Sequence, residues 1–537
     1  MKKLVIVLLT LLLAVSWVYA GGGGQQSGGA SSASAASLTD DRSKTLDIIW
    51  WGFNNAGILP YEGSIVQREM EKRYNIKITN VMVDSYNGEQ KNLLIATGID
   101  FDVVCGWAGT GSLRQRVDSG LIRPVSEDII RKFAPGIVKV LEASSPIWPG
   151  IASVDGVMYG FPHFSFGQGT PWSLTVRTDW LRNLGITTLP KTLDELETFL
   201  LKFRNDDPDR NGRKDTYALS LCDGNGSKMM NPYLFASYGV QLDQWGYDTD
   251  GSPKWYAIDD NYRQALAKMS EWWAKEIYDP SIVVNRTRLD NFNRVANGLI
   301  AGYFGQDWSI VSGANPSAIS GWEMYINNHP GTNPENFTTY IPPVQGPKGS
   351  FTIQYGPTLM NSVTTFGRKT SDEKVVRILS MFNDIITNKD LYLMTWYGLE
   401  NQHWVYDANK MPVMLPDWNT PEKMTEIGAN RFYPHIFQHG EFIDISFNSA
   451  RMKSRQVVAN YPILPIHLSQ LITTQQDIDY GSAAGDIALE YFWKTITGEW
   501  NVNNTWNDYV NRWKAAGGQQ IIDAKKKVAL EMNLNSK

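Results

Sequence analysis

Between residues 207 and 215 the chain sets Asp207, Asp209, Asn211 and Asp215 around Gly212. Oxygen donors at positions 1, 3, 5 and 9 of a turn, a carbonyl at 7 (Arg213) and Gly at 6 form the ligand pattern of a calcium loop. Position 12, where sensor loops carry a bidentate Glu, is Ala218. The loop can therefore carry a static Ca²⁺ but not a calcium switch. The same residues equally suit a metal-free turn, because Asp and Asn bond their own backbone and Gly admits left-handed angles. Both readings stay open. His435 and His439 are four apart, but no Glu follows the first, and Pro434 and Gly440 bracket the segment. They are not the zinc helix of a metalloprotease and read as surface or loop imidazoles.

No Gly-x-Ser-x-Gly, no phosphate loop ending in Gly-Lys-Ser/Thr and no Gly-x-Gly-x-x-Gly occurs, which disfavours the commonest hydrolase, ATPase and dinucleotide readings. Asp307 and Glu400 could form a glycosidase carboxylate pair, a weak signal without their separation. The aromatics say more: 20 Trp, 24 Tyr and 20 Phe. Trp51, Trp107, Tyr159, Trp172, Trp308, Tyr355, Tyr397 and Trp404 stand beside Gly, Asn, Asp or His or, for Trp172, Pro and Ser, instead of inside apolar periodic runs. A sugar ring has an apolar C–H face that aromatic planes cover, and a belt of hydroxyls that Asn, Asp, Glu, His and Arg bond. Any one of these rings suits interior packing equally well; the set favours a sugar-sized polar ligand.

The elements that must position these residues read as α/β. Leu46–Trp51 is a strand, 65–74 a helix, 76–83 a β-branched strand, 90–97 a helix and 102–105 a short apolar strand. That alternation predicts a parallel sheet, whose ligand end is the carboxyl end of its strands. A second unit begins near Phe166, with a strand at 173–176. Thr178 is placed to cap the helix that follows, and Gly185 to end it. Thr192 and Glu195 form a capping box for a helix whose apolar face is Leu193, Leu196, Phe199, Leu200 and Phe203. The acidic loop follows that helix directly. Leu299–Phe304 is a strand, 346–349 a turn, 373–387 an amphipathic helix, and the last 50 residues are helical and aromatic. No internal repeat is present.

With 537 residues, 42% hydrophobic and 20% charged, the chain has the make-up of a globular protein of two domains. A net charge of −5 and the absence of a basic block speak against nucleic acid. Lys2 and Lys3, the apolar run Leu4–Val18 and Val18-Tyr19-Ala20 read as a cleavable signal peptide, residues 1–20. Residues 21–44 open with Gly, Gln, Ser and Ala only and read as a disordered tether. Cys105 and Cys222 both sit in apolar runs and read as two separate buried thiols.

Four stretches, in order along the chain, carry a resemblance: VDGVMYGFP (154–162), VRTDWLRNLGI (176–186), LPKTLDELETFLLKFRNDDPDRNGRKDTYAL (189–219) and YGLENQHW (397–404). The chain resembles the family 1 extracellular solute-binding proteins of ABC importers, in particular the subgroup of oligosaccharide-, alginate- and lipoprotein-type binding proteins. The resemblance covers most of 45–530. It implies the type II periplasmic binding protein fold: two α/β lobes, each a parallel-rich sheet flanked by helices, joined by hinge crossings. Lobe one would be 45–165 plus 345–405, and lobe two 166–344 plus 406–537. It implies a structural Ca²⁺ on Asp207, Asp209, Asn211, the Arg213 carbonyl and Asp215, although Thr216 stands where some relatives carry an acid. In the family pattern Gly-x-Glu-Gly-x-His, Asn401 replaces the second Gly; Asn is the residue after Gly that best tolerates left-handed angles. The lipid-anchor Cys is absent, so a monomer free in the periplasm or outside the cell is expected, not a lipoprotein.

The function so implied is capture of an oligosaccharide in the cleft for delivery to a membrane permease, with no catalysis and no nucleic acid. The expected cleft residues are Trp51, Asn54, Trp107, Trp172, Arg177, Trp308, Glu400 and Trp404. The aromatics would stack on the sugar, while Asn54, Arg177 and Glu400 would bond hydroxyls or, for Arg177, a uronate carboxylate. The rival readings are a secreted glycan-degrading enzyme and a peptide or lipid carrier on the same fold.

Overall fold

A computed structural model describes residues 34–52, 61–83, 87–106, 112–165, 170–221, 231–285, 287–306, 310, 320–334, 336–354, 359–429, 437–438, 442 and 449–535. The chain divides into a short unit, Met1–Leu38, and a large one, Thr39–Lys537. The signal-peptide segment lies outside the described residues. In the short unit, Ala35–Ser37 makes one 3₁₀ turn capped by Ser34.

The large unit is built on two mixed sheets. In chain order the strands are β1 Leu46–Trp51, β2 Ile76–Asn80, β3 Val103–Val104, β4 Gly160–Ser165, β5 Ser173–Arg177, β6 Tyr217–Ser220, β7 Ile300–Gly305, β8 Thr338–Ile341, β9 Leu359–Phe366 and β10 Phe437–Gln438. The first sheet runs β10-β4-β9-β3-β1-β2, the second β8-β5-β7-β6. In the first, β1 pairs in parallel with β2 and β3, and β10 with β4, while β9 runs antiparallel to both its neighbours. This is the parallel-rich sheet expected. The second differs: only β7 and β6 are parallel, and β5 is antiparallel to β7 and β8. The reason is topological. β5 enters directly from the first sheet, without the helical crossover that would bring it in parallel to its neighbours.

Local sequence explains the framing helices. α1, Ile65–Tyr74, starts at Ser64, whose hydroxyl accepts from Gln67 N at 3.2 Å, and ends at Asn75 with φ 48°. It buries Val66, Met70 and Tyr74, one face at intervals of four. α2 is Thr178–Asn183. Thr178 is its first residue and not its cap: the Thr178 hydroxyl donates to the Phe337 carbonyl at 3.1 Å instead. α3, Leu193–Asn205, opens with the expected capping box: Glu195 N donates to Thr192 Oγ1 at 3.2 Å and Thr192 N to Glu195 Oε2 at 3.3 Å. α4, Asp260–Ala274, packs against the C-terminal helices α6 Gln475–Ile496 and α7 Val502–Trp513, and α8 Gln519–Glu531 closes the chain. α5, Asp372–Thr387, lies against the first sheet's side.

Two boundaries differ from expectation. Residues 39–44 are not tether. Arg377, buried on α5, donates to the Asp40 carboxylate, to the Asp41 carbonyl at 2.6 Å and to the Tyr74 carbonyl, so it ties the chain down before β1 begins. The chain beyond 405 also stays with the first sheet for longer. β10 pairs with β4, and Phe442 packs on Tyr392 with ring centroids 5.2 Å apart. A two-residue strand carries too little periodicity to be read from sequence. The second core gathers Trp172, Leu200, Tyr262, Trp272, Trp322, Tyr491 and Trp506 among many others, and so joins the last helices to the second sheet. Gly517, φ 104°, permits the bend between α7 and α8, where a Cβ would fall 2.2 Å from the Tyr480 ring.

Candidate functional site

The sheets meet through crossing segments that pair with each other. Trp172 N donates to Ile353 O at 2.8 Å, the Thr352 hydroxyl to Trp172 O at 2.6 Å, Thr352 N to Pro462 O at 2.8 Å and Leu464 N to Thr352 O at 3.0 Å. Pro171 bridges Gln354 in the same small ladder. Residues 166–172 lead from β4 to β5 and residues 342–358 from β8 to β9, so both link the two sheets. Fully buried Thr352 fastens them to the third segment at Pro462.

On the first sheet, Trp51 ends β1. It is 1% exposed, its ring meets Phe101 edge-on at 5.6 Å, and its indole N–H has no hydrogen-bond partner among the described residues. A buried donor without an acceptor is costly. Asp102, which sequence reasoning passed over, fixes this end of the sheet. Its carboxylate accepts from Ile49 N at 2.9 Å and from Lys374 Nζ at 2.8 Å. Thr364 on β9 accepts from Gly106 N at 3.1 Å, just past β3. An acid heading the apolar run FDVVC was the readable signal for the first; nothing marks the second.

The expected cleft residues fall into four groups. Asn54, Trp107 and Trp308 lie outside the described residues, as do Asp307, His435, His439 and Cys222. Trp51 ends β1 and Trp172 lies in the crossing ladder just before β5, both sealed and both with indole N–H groups that have no partner among the described residues. Glu400 is exposed and makes no ion pair among the described residues. Arg177 and Trp404 do other work. Arg177, 4% exposed, donates to Asp179 at 2.6 and 3.1 Å and to the Tyr325 hydroxyl at 2.9 Å, and its guanidinium lies 4.4 Å from the ring centres of Trp180 and Tyr325. An arginine so enclosed holds α2 to its neighbours and has no face left for a uronate. Trp404 donates its N–H to Gly398 O at 2.9 Å and packs on Tyr397 and Tyr406. That turn works as the residues suggest: Asn401 has φ 63° and its N–H donates to Trp404 O at 2.8 Å. Cys105 is a free, fully buried thiol, and burial pushes its pKa up.

The acidic loop is pinned to α2, since Asn183 donates to Pro208 O at 2.7 Å and Arg210 to Asn183 O at 2.9 Å. Asp207 (φ 48°) accepts from the N–H groups of Asn211 and Gly212, both at 3.0 Å, and the Asn211 side-chain oxygen accepts from Arg213 N at 2.7 Å, as an Asx turn does. The Asn211 amide donates to Asp209 at 2.8 Å and Asp215 at 3.2 Å. Among the described residues no group of three or more His, Cys, Asp or Glu side chains is assembled as a metal site. The donor chemistry nonetheless suits a hard cation. Asp209 Oδ1 is buried without a partner, and burial together with the neighbouring Asp207 and Asp215 carboxylates raises the Asp209 pKa. The Asn211 amide hydrogens sit where they offset part of that negative charge. Thr216 takes no part, because its hydroxyl donates to Phe203 O at 2.8 Å.

No family model matches the chain. Among curated proteins it is similar to the fructooligosaccharide ABC transporter substrate-binding protein FusA of Streptococcus pneumoniae, 30% identical over 271 residues, covering 48% of this chain and 49% of that protein. The chain thus spans about half the length of this relative. It is also similar to the polygalacturonan/rhamnogalacturonan-binding protein YtcQ of Bacillus subtilis, 21% identical over 389 residues, covering 69% and 70%. Among solved structures, S. pneumoniae FusA in complex with kestose matches with a TM-score of 0.69 at 19% identity, covering 92% of this chain and all of that one. A FusA EF-hand mutant with fructo-nystose gives 0.68 at 18%, covering 92% and 100%. Alginate-binding protein AlgQ2 without calcium ion gives 0.64 at 17%, covering 90% and 97%. At these identities the structural likeness is one of fold: two lobes of mixed helix and sheet. The homologues and structural neighbours are solute-binding proteins, sugar binders among them, in agreement with the resemblance carried by the motifs.

Proposed function

We propose that this chain, a relative of the family 1 extracellular solute-binding proteins, is the substrate-binding component of an ABC importer. It takes an oligosaccharide between its two sheets and hands it to a membrane permease. The observation that carries this reading is the ladder at Pro171–Trp172, Thr352–Gln354 and Pro462–Leu464. Two separately packed sheets joined by a few paired crossing residues can hinge as units, and hinge closure is how such an arrangement reports occupancy. A ligand drives closure only by binding the closed form more tightly than the open one. The sugar-binding names of the relatives support carbohydrate as the ligand class.

Trp51, Asn54, Trp107, Trp172, Trp308 and Glu400 form the ligand set of this reading. Arg177 and Trp404 leave the set because their polar groups are engaged. The acidic loop holds a Ca²⁺ that stiffens the joint between α3 and β6 without touching the ligand. Residues 1–20 direct export, and the mature chain works outside the cytoplasmic membrane as a monomer. No catalytic group is assigned.

A thermal-shift screen of neutral and uronic oligosaccharides, followed by solution scattering at saturation, tests this. One sugar class should raise the melting temperature, bind with a Kd on the order of 1 μM, about 8 kcal/mol, and compact the protein. Superimposable scattering curves with and without a bound sugar would sink the hinge reading. Release of shortened products would favour a glycan-degrading enzyme instead.

A further inference from the structure

The second lobe carries a groove of about 510 Å³ outside the proposed cleft residues. Its walls are the first turn of α3, one face of α4, and the hairpin in which Gln345–Gly346 pairs with Gly349–Ser350. Two of these walls, the start of α3 and the hairpin, are tied by bonds already made. The capping box closes the start of α3, Gln345 N donates to Lys191 O at 2.8 Å, and Lys348 N donates to Ser237 O at 2.8 Å. The groove is preformed, and its volume falls within the range of about 300–1,000 Å³ usual for small-molecule sites.

Its lining is amphipathic. Half-buried Tyr238 presents a ring beside Pro347 and Ala267, and three charged groups surround the phenol: Asp194, Lys268 and Glu271. Lys268 is already engaged, 2.7 Å from Glu197 and 3.3 Å from Glu271. The Asp194 carboxylate and the Tyr238 hydroxyl make no hydrogen bond among the described residues. One aromatic plate, an apolar floor and unengaged oxygen acceptors at the rim suit a hydroxylated ring. The surplus of carboxylate over ammonium disfavours an acidic sugar.

We infer that this groove is a second, weaker saccharide site, taking a neutral mono- or disaccharide unit that stacks on Tyr238 and bonds Asp194 through its hydroxyls. It takes its ligand class from the proposed function. The hairpin that walls it runs on into Phe351–Gln354, the crossing segment, so an occupant rests against the chain that enters the hinge.

The test titrates neutral mono- and oligosaccharides into wild type, Tyr238→Ala and Ala267→Arg, with calorimetry for tight binding and saturation-transfer NMR for weak binding. Melting curves confirm that each variant is folded. Ala267→Arg fills the groove while leaving the tyrosine in place, so it serves if Tyr238→Ala does not fold. The expected result is two classes of site in wild type. The weaker class should fall at least about tenfold in both variants, a loss of about 1.4 kcal/mol, while the tight class stays unchanged. A single class in wild type, or a weak class indifferent to both substitutions, overturns the inference. Weak binding that responds to the variants without any tight class overturns the cleft reading and leaves the groove standing.

Discussion

Two acidic regions border the same helix, α3, and differ in what their charges meet. Glu197, on the helix, lies 2.7 Å from Lys268 Nζ, accepts from Trp272 Nε1 at 2.6 Å and also takes a hydrogen bond from Lys275. Burial alone would raise its pKa, but these three partners outweigh burial and hold the carboxyl down at about 2. Just beyond the helix, Asp209 lies beside the Asp207 and Asp215 carboxylates, and burial together with those two acids raises its pKa. The residue chemistry is nearly the same and the outcome opposite. The difference separates a charge that the fold completes from one that it leaves for something else to complete.

Supplying that completion should have the largest effect. With Ca²⁺ at a hundredfold excess over its Kd, binding to the native state adds about 2.7 kcal/mol. A melting curve in excess Ca²⁺ should therefore lie well above one in chelator, with sugar specificity unchanged. Identical curves would assign the loop to the metal-free turn. The matched experiment on the helix is Glu197→Gln, which leaves two lysines facing a neutral amide. Breaking a sealed ion pair costs roughly 3–5 kcal/mol, but Lys275 is nearly half exposed, so screening reduces the expected loss to about 2 kcal/mol, independent of Ca²⁺. Its pH signature follows from the sign of the shift. The folded-state pKa lies below the ordinary 4.5, so this stabilisation is complete above 4.5 and disappears as pH falls toward 2. Glu197→Gln should flatten urea midpoints across that window, and an unchanged slope would show that other carboxylates dominate there.

The comparison also marks where sequence stops being informative. The capping box at Thr192 and Glu195, the apolar face of α3, the parallel run β1, β2 and β3 and the left-handed Asn401 were all legible, because each depends on residues close in sequence or on backbone preference. Glu197 gave no sign of its role. Its partners lie about 70 residues away, on α4 and at the residue that ends it, and only packing brings them together. Arg177 misled for a related reason: an arginine ending a strand near aromatics fits a sugar site and an internal cation–π stack alike, and only the positions of Trp180 and Tyr325 decide. The antiparallel β5 and the late return of β10 to the first sheet depend on chain path, which local periodicity does not encode. Of the cleft, the residue types were readable and their enclosure was not.

The smallest expected effect discriminates most sharply. Because the folded-state pKa of Asp209 lies above its ordinary 3.8, the stability linked to its protonation is complete below 3.8 and lost as pH rises through the folded value. At neutral pH the metal-free loop therefore carries a penalty. Asp209→Asn removes that charge while keeping the size and one oxygen acceptor, so in chelator the variant should be more stable than wild type by up to about 1 kcal/mol. It should also lose most of its response to Ca²⁺, since one of the three carboxylates facing the cation is gone. Glu197→Gln predicts the reverse pattern, a loss of stability with the Ca²⁺ response intact. If Asp209→Asn instead destabilised the protein in chelator, the Asp209 carboxylate would be completed within the fold after all, through its bond from Asn211, and the contrast between the two ends of α3 would disappear.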